Sequence, residues 1–211
     1  MTRIILTRHG HVDWIAPERF RGRAELPLSK LGERQAEALA RRVAQSWAPD
    51  AIYTSPLSRC VRTGEAIARA TGAPAQVLAD LVDTHYGQWQ GLTHEEVRAR
   101  WPDEAQAWFT TPDLAVIPDG ETLGDVLVRV MRVLHLVLRR HAGQTVVLVG
   151  HDSSNRVLLM QCLGLPLARY WRIKQEPCCV NEIVVAGSEF TIHRINETQH
   201  TSGLGADDRS L

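Results

Sequence analysis

The chain has 211 residues, of which 44% are hydrophobic and 23% are charged, a composition typical of a soluble globular protein. Lysine plus arginine and aspartate plus glutamate are equal at 24 each, so the net charge indicates neither a nucleic acid nor an anionic membrane as a partner. This length favours one large domain over two. We expect residues 1–200 to form that domain and the polar residues 201–211 to be a flexible tail.

The cysteines indicate a reducing compartment. Cys60, Cys162, Cys178 and Cys179 contain no C-x-x-C pair, so we interpret them as reduced thiols rather than as a disulfide framework or a zinc site. The chain starts with a short strand instead of a signal-length apolar segment. No stretch approaches the roughly eighteen apolar residues that a membrane span needs. The prediction is a cytoplasmic protein without a membrane segment.

Apolar runs and amphipathic stretches alternate along the chain. In chain order, strands are predicted at residues 3–7, 51–55, 145–150, 182–187 and 189–195, and helices at residues 31–46, 56–70, 123–141 and 153–163. Ser29 is the predicted N-cap of the first helix, and residues 101–120 are expected to lie over one end of the sheet. This order predicts an α/β fold, a sandwich in which helices flank a mostly parallel sheet.

Two of the predicted strands end in a histidine with a neighbouring glycine. The first strand leads into Arg8, His9, Gly10 and His11, and the strand at 145–150 leads into His151 and Asp152. In open α/β sheets, ligands sit at the carboxyl ends of the strands. We therefore expect His9 and His151 to face each other across a pocket at one edge of the sheet.

A third stretch adds arginines. Arg59 and Arg62 lie three residues apart on the first turns of a helix that follows a strand, a spacing that places them on one face. A helix N-terminus itself favours anions. Together with Arg8 these side chains would form a cradle for a phosphoryl group, because guanidinium forks match its oxygens.

At this point the chain resembles the histidine phosphatase superfamily, which contains cofactor-dependent phosphoglycerate mutases and many small phosphatases. The motifs that carry the resemblance are LTRHG (6–10), RGRAELPLSKLGERQA (21–36), SPLSRCVRT (55–63), LVDTHYGQWQG (81–91), DGET (119–122) and LVGHDSSNR (148–156). They occur in family order. The resemblance implies a phosphoglycerate mutase-like three-layer fold and chemistry through a phosphohistidine.

The resemblance also implies roles for individual residues. His9 would be the nucleophile that takes the phosphoryl group. Arg8, Arg59 and His151 would hold the phosphate, and Gly22 would line the pocket with its backbone N–H. The positive charge comes from side chains, so neither a metal ion nor another cofactor is expected.

Two carboxylates compete for the role of general acid. Asp83 occupies the position at which the family usually has a glutamate, and burial or the bound phosphate would have to raise its pKa from about 3.9 to keep it protonated. Asp152 directly follows His151, as the proton donor does in the acid phosphatase and phytase branch. We favour Asp83 and keep Asp152 as the alternative.

The chain departs from the family pattern after Arg8-His9-Gly10. His11 stands where mutase-like members have a glutamate, and it would either add a cation near the site or cap a turn. Ile15 replaces an asparagine that contacts phosphate, and Glu25 replaces an aspartate.

The predicted function is metal-independent hydrolysis of a small phosphomonoester. Mutases of the family carry a longer basic insertion where this chain has only the segment from Gly91 to Asp119, which favours an open pocket and hydrolysis. The alternatives are a phosphoglycerate mutase-type transfer or a catalytically weak phosphate-binding regulatory protein. The expected partner is a small phosphorylated metabolite, and the C-terminal strands offer an edge for a homodimer.

Overall fold

A computed structural model describes residues 1–14 and 18–204 of the chain. The strands are β1 (Thr2–Arg8), β2 (Ala51–Thr54), β3 (Ala75–Val77), β4 (Thr145–Gly150), β5 (Val180–Ala186) and β6 (Glu189–Glu197). The helices of the described residues are α1 (Lys30–Ser46), α2 (Ser58–Thr71), α3 (His94–Arg100), α4 (Pro102–Thr110), α5 (Leu123–Arg140) and α6 (Asp152–Leu163).

The strands form one sheet in the order β3-β2-β4-β1-β5-β6. The first four strands of this order pair in parallel, and β5 and β6 join as an antiparallel hairpin. This arrangement confirms the mostly parallel sheet and the C-terminal hairpin. β3 was not predicted, because its three residues are all exposed and carry no apolar pattern.

The core lies on both faces of the sheet. Ile4 and Leu6 of β1 pack into one hydrophobic cluster with residues of α5 and α6, and Ile5 packs into a second cluster with α1 and α2. Alternate residues of a strand point to opposite faces, so a fully apolar strand requires a covering layer on each side. The predicted sandwich of three layers is confirmed.

The first turn of α1 packs closely against the chain that leaves β1. Ser29 caps the helix by accepting a hydrogen bond from the Gly32 amide, as predicted, and its own amide donates to the His11 carbonyl at 3.0 Å. A Cβ atom at Gly10 would lie 2.5 Å from the Gly32 carbonyl oxygen. Glycine at both positions allows this approach of two backbones.

Four further predictions concern residues 101–120, the cysteines, the C-terminal tail and membrane spans. Residues 101–120 contain α4 and the chain that leads into α5. All four cysteines are buried and free. Arg34 donates to the Leu204 carbonyl at 3.2 Å, and the rest of the predicted tail, residues 205–211, lies outside the described residues. None of the described helices is long and apolar enough to cross a membrane.

Candidate active site

The register of the two central strands brings the two histidines together. Arg8 of β1 pairs with Gly150 of β4, and the His9 amide donates to the Gly150 carbonyl at 3.1 Å. The ring centroids of His9 and His151 lie 5.2 Å apart in an edge-on arrangement. The two histidines lie together at one edge of the sheet as expected, but their rings contact each other instead of facing across a pocket, and neither is among the residues that line the cavity described below.

His9 has one ring nitrogen engaged by the backbone. Its Nδ1 lies 2.7 Å from the Gly10 carbonyl oxygen, which is an acceptor only, so Nδ1 carries the proton and Nε2 presents the lone pair. Burial lowers the pKa of His9 well below its usual value, and the charges of Arg59 and Arg8 lower it further. Near neutral pH the ring is therefore an uncharged base.

His151 is held from the opposite side by α2 and the turn before it. Its Nε2 lies 2.7 Å from the Ser55 hydroxyl and 3.4 Å from the Cys60 sulfur. Burial, and then the charge of Arg59, lower the pKa of His151 well below its usual value. With Nε2 engaged in this way, the Nδ1 edge of the ring is directed towards Asp83.

Two arginines stand beside the histidines. Arg59 is fully buried, and its Nη1 and Nη2 donate to the carbonyls of Ala24 and Gly22, each at 2.7 Å. Arg8 donates from Nη1 to the Gln175 carbonyl at 2.6 Å. The Nε atoms of both arginines are buried without a hydrogen-bond partner among the described residues, so each retains a donor that the protein itself does not use.

Gly22 lines the cavity next to these arginines. Its φ angle of 48° lies in the left-handed region, which glycine adopts without strain. A Cβ atom here would lie 3.0 Å from the Thr84 carbonyl oxygen and from a ring carbon of Tyr86. Its carbonyl oxygen also orients Arg59, a contact that the sequence did not indicate.

Arg62 does not join this group. Its side chain is 54% exposed and pairs with Glu65 at 3.0 Å and with Glu33 of α1 at 3.8 Å. Three residues along a helix span most of one turn but leave an angular offset. Arg59 therefore turns into the core while Arg62 turns towards α1, and the prediction that both face the phosphate was wrong for Arg62.

Asp83 lies against both Arg59 and His151. Its Oδ2 is 3.6 Å from Arg59 Nη2 and 3.6 Å from His151 Nδ1, and its Oδ1 accepts from the Thr84 amide at 2.9 Å. The residue is 8% exposed. Burial raises the pKa of Asp83 above its usual value, although the Arg59 charge opposes the shift. Its environment thus favours the protonated acid more than an exposed aspartate does.

A buried ion pair holds the segment that carries Asp83. Arg129 of α5 contacts Glu121 through Nε at 3.0 Å and donates from Nη1 to the carbonyls of Asp80 and Val82. Glu121 in turn accepts from the His85 amide at 2.9 Å. Glu121 of the DGET motif and Arg129 together therefore bind the backbone on both sides of Asp83.

Asp152, the other candidate acid, is the first residue of α6. Its Oδ1 is 3.0 Å from Arg156 Nε, one turn along α6, and both residues line the cavity. The structure thus separates the two carboxylates: Asp83 contacts the histidine and arginine pair, and Asp152 pairs with a different arginine.

The residues around the first histidine motif have structural contacts. His11 Nδ1 lies 2.7 Å from the Ser29 hydroxyl, at the cap of α1, which favours the turn-capping interpretation over a cation in the cavity. Glu25 accepts from the Ser58 hydroxyl at 2.7 Å. Ile15 lies outside the described residues.

A cavity of about 360 Å³ opens above the site. Arg8, Gly22, Asp83 and Asp152 line it, and so does Arg21, which the sequence analysis did not single out. Burial and then the Arg8 charge lower the pKa of Arg21. Arg21 directly precedes Gly22 in the motif RGRAELPLSKLGERQA. A single arginine in a loop forms no sequence pattern that would identify it as a site residue.

The aromatic side chains divide between core and cavity. Trp89 is fully buried in the core, whereas Trp108 packs in the core and also lines the cavity. Trp101 and Phe109 pack against the core from its edge. Tyr170 and Trp171 complete the cavity wall; they lie in a turn of 3-10 helix, Leu167–Arg172, that sequence periodicity did not predict.

The six-stranded mixed sheet flanked by helices matches the structures of phosphoglycerate mutase-like phosphatases. The chain belongs to the histidine phosphatase superfamily, branch 1, whose family model matches residues 4–198. Several of its relatives are named as phosphatases, and the chain is a small-molecule phosphatase of the histidine phosphatase type.

Three comparisons illustrate the relationship. The chain is 30% identical over 200 residues to phosphoserine phosphatase 1 of Hydrogenobacter thermophilus, covering 95% of this chain and 94% of that one. It is 29% identical to the metal-independent phosphoserine phosphatase of Arabidopsis thaliana, covering 97% and 85%. The solved structure of Bacillus stearothermophilus YhfR superposes with a TM-score of 0.90 at 29% identity, covering 95% of this chain and all of that chain.

Proposed function

We propose that the protein hydrolyses a small phosphomonoester without a metal ion, through a phosphohistidine at His9. One observation supports this above all. The Nδ1 proton of His9 is donated to the Gly10 carbonyl, which leaves Nε2 as the nucleophilic atom beside two arginines with unpaired N–H groups. A buried, uncharged imidazole in such a position is prepared for attack on phosphorus.

In the first step Nε2 of His9 attacks the phosphorus atom and the bond to the leaving oxygen breaks. Arg8, Arg59 and the Nδ1 edge of His151 stabilise the charge that spreads over the three equatorial oxygens. Asp83 donates its proton to the leaving oxygen, so an alcohol departs. The raised pKa of Asp83 supports its assignment over Asp152.

In the second step water attacks the phosphorus atom of the phosphohistidine. Asp83, now a carboxylate, accepts a proton from that water, and the N–P bond breaks with return of the electron pair to Nε2. Inorganic phosphate leaves, and both His9 and Asp83 regain their starting protonation. Splitting the reaction in this way replaces one difficult displacement by two easier ones.

The proposed substrate is a small phosphorylated metabolite. The relatives named as phosphoserine phosphatases make O-phosphoserine the first compound to test. The arginines supply the positive charge that a metal ion would otherwise supply to the phosphate, which supports the proposed metal independence. A cytoplasmic location and a homodimer formed along the C-terminal strands remain proposals; the four buried free thiols support the former.

The test is phosphate release from O-phosphoserine and from p-nitrophenyl phosphate in the presence of EDTA. We expect turnover by the parent protein and none above background by His9→Ala. The matched control is His135→Ala, which removes an exposed histidine of α5 and should retain turnover.

Turnover that EDTA abolishes and added metal restores would contradict the proposed metal independence. Turnover that persists in His9→Ala would contradict the phosphohistidine. Exchange of phosphate between positions of phosphoglycerate without release would indicate a mutase.

A further inference from the structure

The cavity continues beyond the phosphate-binding end to a second polar wall, centred on Arg156. This side chain is 9% exposed and lines the cavity. Its guanidinium carbon lies 5.1 Å from the ring centroids of both Tyr170 and Trp171. The aromatic rings fix the plane and position of the guanidinium, which lowers the entropy lost when it binds a ligand.

Arg156 has donor capacity that nothing in the described part of the chain uses. Nε lies 3.0 Å from Asp152 Oδ1 as an ion pair, and neither Nε nor Nη1, both buried, has a hydrogen-bond partner among the described residues. A buried, unpaired N–H of a charged group is costly unless something accepts from it. An acceptor supplied by a ligand in the cavity would remove that cost.

A cluster of three hydroxyl groups beside Arg156 has one proton that its internal hydrogen bonds do not use. The Ser153 hydroxyl lies 2.8 Å from the Tyr86 hydroxyl and 2.8 Å from the Tyr170 hydroxyl. Three hydroxyls carry three protons, and these two hydrogen bonds use two of them. All three residues line the cavity, and neither of these hydrogen bonds uses the third proton.

Trp108 adds another donor. It lines the cavity, and its indole N–H has no acceptor among residues 1–14 and 18–204. Apart from Asp152 Oδ1, which also lacks a hydrogen bond, the unpaired groups named here are donors, and the guanidinium carries a positive charge. Such a set is complementary to an acceptor-only group with a negative charge.

We propose that Arg156 binds a carboxylate carried by the leaving alcohol, and that this contact selects the substrate. The inference deepens the proposed function and rests on it. A carboxylate presents two coplanar oxygens to the guanidinium fork. Asp152 forms an ion pair with Arg156 and repels a second anion, so a singly charged carboxylate fits better than a second phosphate with its higher charge.

The positions along α6 are consistent with this assignment. Asp152 follows His151 directly, and Arg156 lies one turn further, about 6 Å along the helix axis. A leaving group of a few carbon atoms spans that distance. The phosphate would therefore sit at the histidines while the carboxylate reaches Arg156.

The experiment compares two substrates that differ in the carboxylate alone: O-phosphoserine and O-phosphoethanolamine. In the parent we expect kcat/KM to be higher for O-phosphoserine. In Arg156→Met the ratio of the two kcat/KM values should fall on the order of 10- to 100-fold, the loss expected for a hydrogen-bonded charge pair, and mostly through KM for O-phosphoserine. Arg156→Lys, which keeps the charge but not the fork, should recover part of the ratio.

The matched control is Arg41→Met, at an exposed position of α1, which should leave the ratio unchanged. A parent ratio near one, or a ratio that Arg156→Met does not alter, would overturn the inference while phosphate release through His9 still supports the proposed function. If Arg156→Met does not fold, as judged by circular dichroism, the test uses Arg156→Gln, which keeps a polar side chain but removes the charged fork. A ratio unchanged in that variant and in Arg156→Lys would overturn the inference. Failure of the parent to release phosphate from any phosphomonoester would overturn both proposals.

Discussion

The chemistry of single side chains at this site is determined by their surroundings more than by their type. Asp83 is a weak candidate for an acid by residue type, because an exposed aspartate is ionised near neutral pH. Burial raises its pKa, while the same burial lowers the pKa of His9. Two groups whose pKa values are displaced in these opposite directions suit an acid and a nucleophile that work at one pH.

Replacing Asp83 with asparagine tests its proposed role as the acid. We expect kcat for O-phosphoserine to fall by about 10²–10⁴-fold, the usual contribution of general acid catalysis. The kcat/KM for p-nitrophenyl phosphate, which reports the phosphorylation step and not hydrolysis of the phosphohistidine, should fall much less, because this leaving group needs little protonation. Steady-state rates of the two substrates across the pH range provide the measurement, and the alkaline limb set by Asp83 should disappear in Asp83→Asn. Loss of turnover in Asp152→Asn, with Asp83→Asn fully active, would reverse the assignment.

The sequence indicated most site residues but not which of them converge. His9 and His151 follow predicted strands, and the rule for strand ends places them correctly. Arg62 was misplaced, because helical spacing alone does not say which arginine faces the core and which faces α1. Arg156 was missed, because its aromatic neighbours come from a turn that lies distant in sequence.

At the level of elements, the contact between β1 and α1 fixes the position of the first histidine. A Cβ atom at Gly32 would lie 2.1 Å from the His11 carbonyl oxygen, so the helix and the loop are separated by no more than their backbones. The sequence predicted both elements and the Ser29 cap from local patterns. It did not predict the close approach, which depends on how distant segments pack.

The substitution Gly32→Ala tests this contact. We expect it to lower the free energy of unfolding by about 1–3 kcal/mol, the cost of overpacking against atoms that cannot move aside. Gly124→Ala is the matched control in the first turn of α5, where the nearest atom to a new Cβ is the Thr122 hydroxyl oxygen at 3.5 Å. It should stabilise the protein by about 0.4–1 kcal/mol. Urea denaturation of the three proteins gives both values, and equal effects of the two substitutions would contradict the account.

For the whole molecule, the overall topology could be predicted because strong apolar strands alternate with amphipathic helices. Periodicity located the five longer strands, and the exception was the short edge strand β3. The same patterns were insufficient for the cavity, whose walls come from at least four separated segments. A cavity depends on tertiary packing, and local sequence patterns do not report on that.

The two buried histidines make the free energy of unfolding depend on pH. His9 and His151 have folded-state pKa values below the usual value of 6.5, so the unfolded chain binds more protons as the pH falls through that value. Stability is then lost on acidification, by at most about 1.4 kcal/mol per pH unit for each histidine. Denaturant titrations between pH 7 and pH 5 should show a smaller loss in His9→Gln than in the parent. An equal loss of stability in both proteins would mean that His9 does not contribute to the pH dependence. The control is His135→Gln, which removes an exposed histidine.

The most direct test of the central claim is detection of the phosphoenzyme. The protein is mixed rapidly with O-phosphoserine or p-nitrophenyl phosphate, quenched in base, which preserves phosphohistidine, and digested for peptide mass spectrometry. The account predicts one phosphoryl group on the peptide that contains His9 within the first turnover, and none in His9→Ala. Phosphate release by the parent without such a peptide, or with the phosphoryl group on another residue, would contradict it.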